Sequence, residues 1–182
     1  MKNVVALILT LAFFASCKKQ YTEQNKQIEE VRVQLQQNSQ LLLKVDTATV
    51  FELSRKVKSD LKLLHQLVDT LELKSAKIIS DAYAERSQLF YFKKHYAQFI
   101  IELKYSTQQM KQLQQDLNNG LLTTEKFNQY YQQEKEIIVN LNKKIQQSIE
   151  EMNVALEVIL KNTATVDSLL LQIQASPKRT VD

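Results

Sequence analysis

From Val50 to Leu117, apolar side chains recur alternately four and three residues apart. The run passes through Val57, Leu61, Leu64, Val68, Leu71, Ile78, Leu89, Phe92, Tyr96, Phe99, Leu103, Met110 and Leu113. Ser54, Ser75, Ala82, Glu85 and Ser106 fill the remaining places without breaking the count. A strict seven-residue period keeps one narrow stripe facing a partner helix and predicts left-handed supercoiling. The register needs no interruption between Thr49 and Asn118. One helix over that span would be roughly 100 Å long at 1.5 Å per residue, and the pattern leaves open whether 49–118 is one helix or two. A break between Ala84 and Gln88 is the alternative, because Glu85 takes a stripe position.

Asn118-Asn119-Gly120 ends this pattern, and a glycine just past a helix can adopt the left-handed conformation that closes it. Thr123 or Thr124 can cap the helix that follows. Its stripe reads Phe127, Tyr131, Glu134, Ile138, Leu141, Ile145, Ile149, Met152, Leu156 and Ile159. A weak point is expected at Lys161–Thr165, and the pattern stops at Ser176-Pro177. Two long stripes joined by a short turn predict an antiparallel hairpin. Folding about Gly120 sets Phe99 near Asn142, Tyr96 near Ile145, Phe92 near Ile149 and Leu89 near Met152.

Upstream, Ile28, Val31, Leu35, Leu42 and Val45 predict a further helix. The small residues at 45–49 then break the chain, with Thr49 and Glu52 spaced as a capping box. Folding back through that break, the first helix would cover Val50 to Val68. The expected fold is all-α, an elongated antiparallel coiled-coil hairpin or long helical bundle. Residues 26–175 form its single domain, 17–25 a polar tether and 176–182 a frayed tail.

Composition narrows this further. One glycine and one proline in 182 residues leave too few turn formers for a sheet-based fold. The formal charge of +4 is a weak excess. Its bases are interspersed with acids, as in Glu134-Lys135-Glu136, whereas a nucleic-acid surface gathers them on one face. No nucleic-acid partner is expected.

Lys2, the apolar run Val4–Ala15 and Ser16 before Cys17 have the layout of an export signal over 1–16, and the run is too short to span a bilayer. Cys17 is the only cysteine, so an intrachain disulfide is impossible. Phe14-Ala15-Ser16-Cys17 resembles the lipobox of bacterial lipoproteins, with Phe14 where leucine is usual. The resemblance implies cleavage before Cys17 and acylation there. With Lys18 and Lys19 next in line, it also implies the outer membrane, facing the periplasm. The body is similar to small helical lipoproteins of Gram-negative bacteria.

No self-contained chemistry is expected. His65 and His95 would stand roughly 45 Å apart on one helix. The carboxylates alternate with lysines as on solvated faces. Neither a phosphate-binding glycine loop nor a metal-ligand cluster is present in the sequence. No cofactor, metal or small-molecule substrate is therefore anticipated. An aromatic belt does stand out: Phe92, Tyr96 and Phe99 lie on the stripe, while Tyr83, Phe90, Tyr91 and Tyr105 lie off it. The off-stripe four are the candidate partner surface, the alternative being that a third helix of the bundle covers them. The expected role is that of a non-enzymatic envelope lipoprotein. It would act as a helical spacer or protein-interaction scaffold, anchored by lipid at Cys17 and binding another protein or itself. The alternatives are a holdase for unfolded clients and a contact regulator of an envelope enzyme.

Overall fold

A computed structural model describes residues 21–67 and 72–175. The expectations for the signal, for Cys17 and for the tail from Ser176 lie outside these residues. Five helices follow in order. They are α1 (Thr22–Leu43), α2 (Thr47–Gln66), α3 (Leu73–Ala82), α4 (Arg86–Asn118) and α5 (Thr124–Ala175). The all-α bundle read from the sequence is what forms. The first helix begins at Thr22, inside the stretch expected to be tether.

The antiparallel pair α4–α5 is the spine of the molecule. Gly120 has φ +71°, and two backbone bonds close the turn around it. Leu121 N–H donates to Asp116 at 2.9 Å and Gly120 N–H to Leu117 at 3.0 Å, the pattern of a Schellman closure. Thr123 then caps α5, accepting from Lys126 N–H at 3.3 Å. A Cβ placed on Gly120 would meet nothing within 4 Å. Gly120→Ala should therefore isolate the backbone penalty of a left-handed residue, about 1 kcal/mol. A thermal midpoint unchanged by this substitution would show that the turn does not constrain the hairpin.

The stretch from Thr49 to Asn118 is not one helix, and one of its interruptions falls beside Glu85, where the stripe allowed a break. It is divided into α2, α3 and α4. At Tyr83–Glu85 the chain bends without reversing, because helix-like bonds continue from Ala84 to Asp81, Arg86 to Tyr83 and Gln88 to Glu85. Glu85 is exposed there, as a carboxylate requires. The reversal of direction falls between α2 and α3. α2 runs antiparallel to α4, while α3 leads into α4 along the same path.

The break at 44–46 is also a bend, so the expected fold-back of the first helix is corrected. α1 packs on α4 and α5, and α2 continues along α4 in the same direction. Asn25 bonds Asn118 and Gln114. Leu43 shares a groove with Ile100 and Lys104, the Phe51 ring lies 6.0 Å from Tyr96, and Lys58 stands beside Phe90. Partners on α4 thus descend steadily as numbers rise along α1 and α2. The molecule is an elongated three-arm bundle: α1 with α2, then α3 with α4, then α5.

The cap of α2 differs from the expected box. Asp46 accepts from Thr49 N–H at 3.1 Å and from its hydroxyl at 2.7 Å. These bonds hold the Asp46 carboxyl below its ordinary value. The cap is therefore intact above about pH 4 and weakens as pH falls through the lowered value.

The buried faces follow the stripes with local slips of one residue. Ser148 and Ala155 are buried where Ile149 and Leu156 were expected, Asp60 where Leu61 was, and Ile79 where Ile78 was. Asn38 fills the gap between Leu35 and Leu42, with its amide donating to Gln34 O at 2.8 Å. The weak point at Lys161–Thr165 is not a break. Asn162 and Thr163 bond back to Val158 and Ile159 carbonyls, which lets polar residues sit inside α5.

Candidate functional site

The four off-stripe aromatics separate into three environments. Tyr83 is 1% exposed, so its place in a partner surface is corrected. It is the C-cap of α3, and the bend there turns its ring inward. Phe90 is half-buried and packs on the core. Tyr91 and Tyr105 are exposed at 43% and 61%. They stand fourteen residues apart, nearly on one helix face, with Ile101, also exposed, on the same side of α4. Tyr91 stacks on His95 with centroids 4.0 Å apart, and His95 Nδ1 lies 2.9 Å from the Tyr91 carbonyl.

Tyr83 belongs to a polar cluster that the sequence reading did not assemble. Its hydroxyl donates to Asp60 Oδ2. Lys56 Nζ reaches the same Asp60 oxygen at 2.7 Å and also bonds Asp167. α2, the bend and α5 are thus joined by one network. Burial pushes the Tyr83 phenol far above its ordinary value, and the hydrogen bond to Asp60 adds to this. Burial lowers the Lys56 ammonium, but the bonds to Asp167 and Asp60 outweigh it, so the net shift is upward. The neutral phenol and charged ammonium suit a structural clamp. A signal was available in retrospect: Lys56 and Asp60 are four apart on one helix, and Asp60 precedes the stripe position Leu61.

Glu134, read on the stripe, lies in the α4–α5 groove beside Gln109, Leu113 and Tyr130. Burial raises its carboxyl. His65 and His95 are no longer on one helix. With α2 and α4 antiparallel, they stand roughly 25 Å apart along the bundle. Among the described residues no group of three or more His, Cys, Asp or Glu can hold a metal ion. No helix among them is long and apolar enough to cross a membrane.

A second groove lies between α2 and α4. Ser54, Lys58, Phe90, Lys93 and Lys94 enclose about 480 Å³ there, with Phe90 as its apolar floor. Lys93 Nζ also lies 5.8 Å from the Phe51 ring centroid, within cation–π range. Among the described residues the ion pairs are Arg32–Glu29, Lys56–Asp60 and Lys56–Asp167; the three lysines of the groove enter none of them. No family model, curated protein or solved structure matches this chain.

Proposed function

We propose that this chain is a non-catalytic lipoprotein of the cell envelope. It would be held by acyl chains on Cys17 at the outer membrane, facing the periplasm, and would act as a helical spacer and protein-interaction scaffold. The observation that supports the scaffold reading is where α1 packs. α1 starts beside the Gly120 turn, tied by Asn25 to Asn118 and Gln114. Tyr21, the first described residue, therefore lies at one end of a rod. The longest arm, α5, has 52 residues and reaches roughly 78 Å. An anchor at one end would leave the opposite end free to meet partners at that distance. Acyl chains contribute roughly 0.8 kcal/mol per buried CH₂, so two or more give a stable anchor.

Expression with labelled fatty acid in a Gram-negative host tests the anchor. The wild-type chain should incorporate label, and Cys17→Ser should abolish incorporation. Equal labelling of the variant would sink the reading. The exposed Tyr91, Ile101 and Tyr105 remain the surface on α4 best suited to a partner. Tyr91→Ser with Tyr105→Ser should weaken capture of envelope proteins while changing stability by no more than about 0.5 kcal/mol. The same residues favour the holdase alternative if the wild-type chain suppresses aggregation of an unfolded outer-membrane protein and the double variant does not.

A further inference from the structure

The basic groove has a counterpart on the opposite side of the same molecule. α4 carries Arg86, Lys93 and Lys94 but no acid from 86 to 101. α5 carries Glu150, Glu151 and Glu157 but no base from 145 to 160. Part of this contrast can be satisfied across the α4–α5 seam within one chain. Lys93 and Lys94, however, line the groove toward α2, away from that seam. On α5, Val154 is 57% exposed. Glu150 and Glu157, both exposed, stand four before and three after it on one outward face. An apolar knob between two carboxylates matches an apolar floor between lysines.

We infer that the outward face of α5 around Val154 seats in the α2–α4 groove of a second copy of this chain. Val154 packs against Phe90, and Glu150 and Glu157 approach Lys93, Lys94 and Lys58. Two features set the geometry. Within one chain, Val154 and the groove lie at nearly the same height, within about 10 Å along the rod, so copies stand side by side almost in register. The knob and the groove face opposite ways, because the outer face of one arm is opposite the cleft between the other two. A two-fold dimer would bring like to like. The match therefore requires head-to-back contacts that repeat from copy to copy. Copies anchored at a common height could extend such a row along a membrane. The inference rests on the scaffold reading above.

The test uses the full chain, purified and reconstituted in lipid vesicles as a mixture of heavy- and light-isotope copies. Zero-length carbodiimide coupling joins contacting lysines and carboxylates, and mass spectrometry identifies the linked peptides. Mixed-isotope links from Lys93 or Lys94 to Glu150 or Glu157 are expected. Mixed-isotope links from Lys58 to Glu150 or Glu157 are expected as well, and Lys93→Glu with Lys94→Glu should lower the yield of these Lys58 links at least tenfold at unchanged helicity. Adding Lys58→Glu, Glu150→Lys and Glu157→Lys to that variant reverses both faces and should restore copy-to-copy coupling with the polarity exchanged. Failure of that restoration, or links confined to single copies, would overturn the inference. If an acidic helix of another protein occupies the groove instead, coupling from Lys93 and Lys94 appears only when envelope extract is added, which also overturns it. Fatty-acid labelling scored in parallel separates the two readings. Labelling without mixed links removes the assembly and leaves the anchor.

Discussion

Phe92→Ala should destabilise the bundle by about 3–5 kcal/mol and lower its thermal midpoint by roughly 10 °C. Phe92 is fully excluded from solvent. Its ring lies 5.7 Å from Tyr96, and Tyr96 meets Phe51 of α2 edge-on at 82°. The residue thus sits where α4 receives the second helix of the first arm. Truncation removes the transfer free energy of an aromatic side chain and leaves a cavity that three stiff helices cannot collapse into. Phe92→Leu keeps most of the volume and should cost under about 1.5 kcal/mol. Denaturant titration at constant slope measures both. A loss below about 1 kcal/mol for the alanine variant would mean that the junction is loosely packed.

Asp60→Ala should cost about 2–3 kcal/mol. Breaking a deeply buried charge network costs roughly 3–5 kcal/mol. Here the Lys56 and Asp167 side chains are 30% and 46% exposed, and solvent screening reduces the figure. What remains is mainly the buried Tyr83 hydroxyl losing its acceptor. The same network predicts a pH dependence. Lys56 and Tyr83 both titrate higher in the folded chain than in the unfolded one. Each contribution is therefore complete below the ordinary value, 10.5 for Lys56 and 10.0 for Tyr83. Above about pH 10 the unfolded chain sheds these protons first, and stability falls as pH rises. Tyr83→Phe should flatten this alkaline limb. An equally steep limb in that variant would show that other groups cause it.

The helical class, the glycine turn and the pairing of α4 with α5 were legible in the sequence because each has a direct local cause. Stripe residues such as Leu103, Met110, Ile138 and Leu141 are buried where the spacing put them. Of the two interruptions in 49–118, the one beside Glu85 was legible from a carboxylate on the stripe. At Tyr83–Glu85 the chain bends but keeps its direction, so the heptad count passes through with a slip of only one residue. The interruption between α2 and α3 was not legible, for a physical reason. The reversal between α2 and α3 carries neither glycine nor proline, the residues that mark a turn most strongly. Its stripe positions Val68 and Leu71 keep the count running. Once the reversal is missed, two arms look like one, and the first helix is given the wrong neighbour. Of the four off-stripe aromatics, Tyr91 and Tyr105 are exposed. Tyr83 was misplaced because the bend rotates it inward, a tertiary effect that spacing alone does not encode.

The ties that hold α1 have a kinetic consequence. Its hydrogen bonds to Gln114, Asn118 and Tyr131 join residues separated by 89, 93 and 104 positions in the chain. The α4–α5 hairpin closes instead through the five residues 119–123. Closing the short loop costs little entropy, and the long closures are favourable only once a surface exists to receive them. Folding should therefore nucleate at the hairpin and zip along the first arm, so that α1, the first in chain order of the described helices, is the last to settle. In the native bundle the same order runs backwards: α1 is the segment expected to open first, at lower cost than the hairpin beneath it.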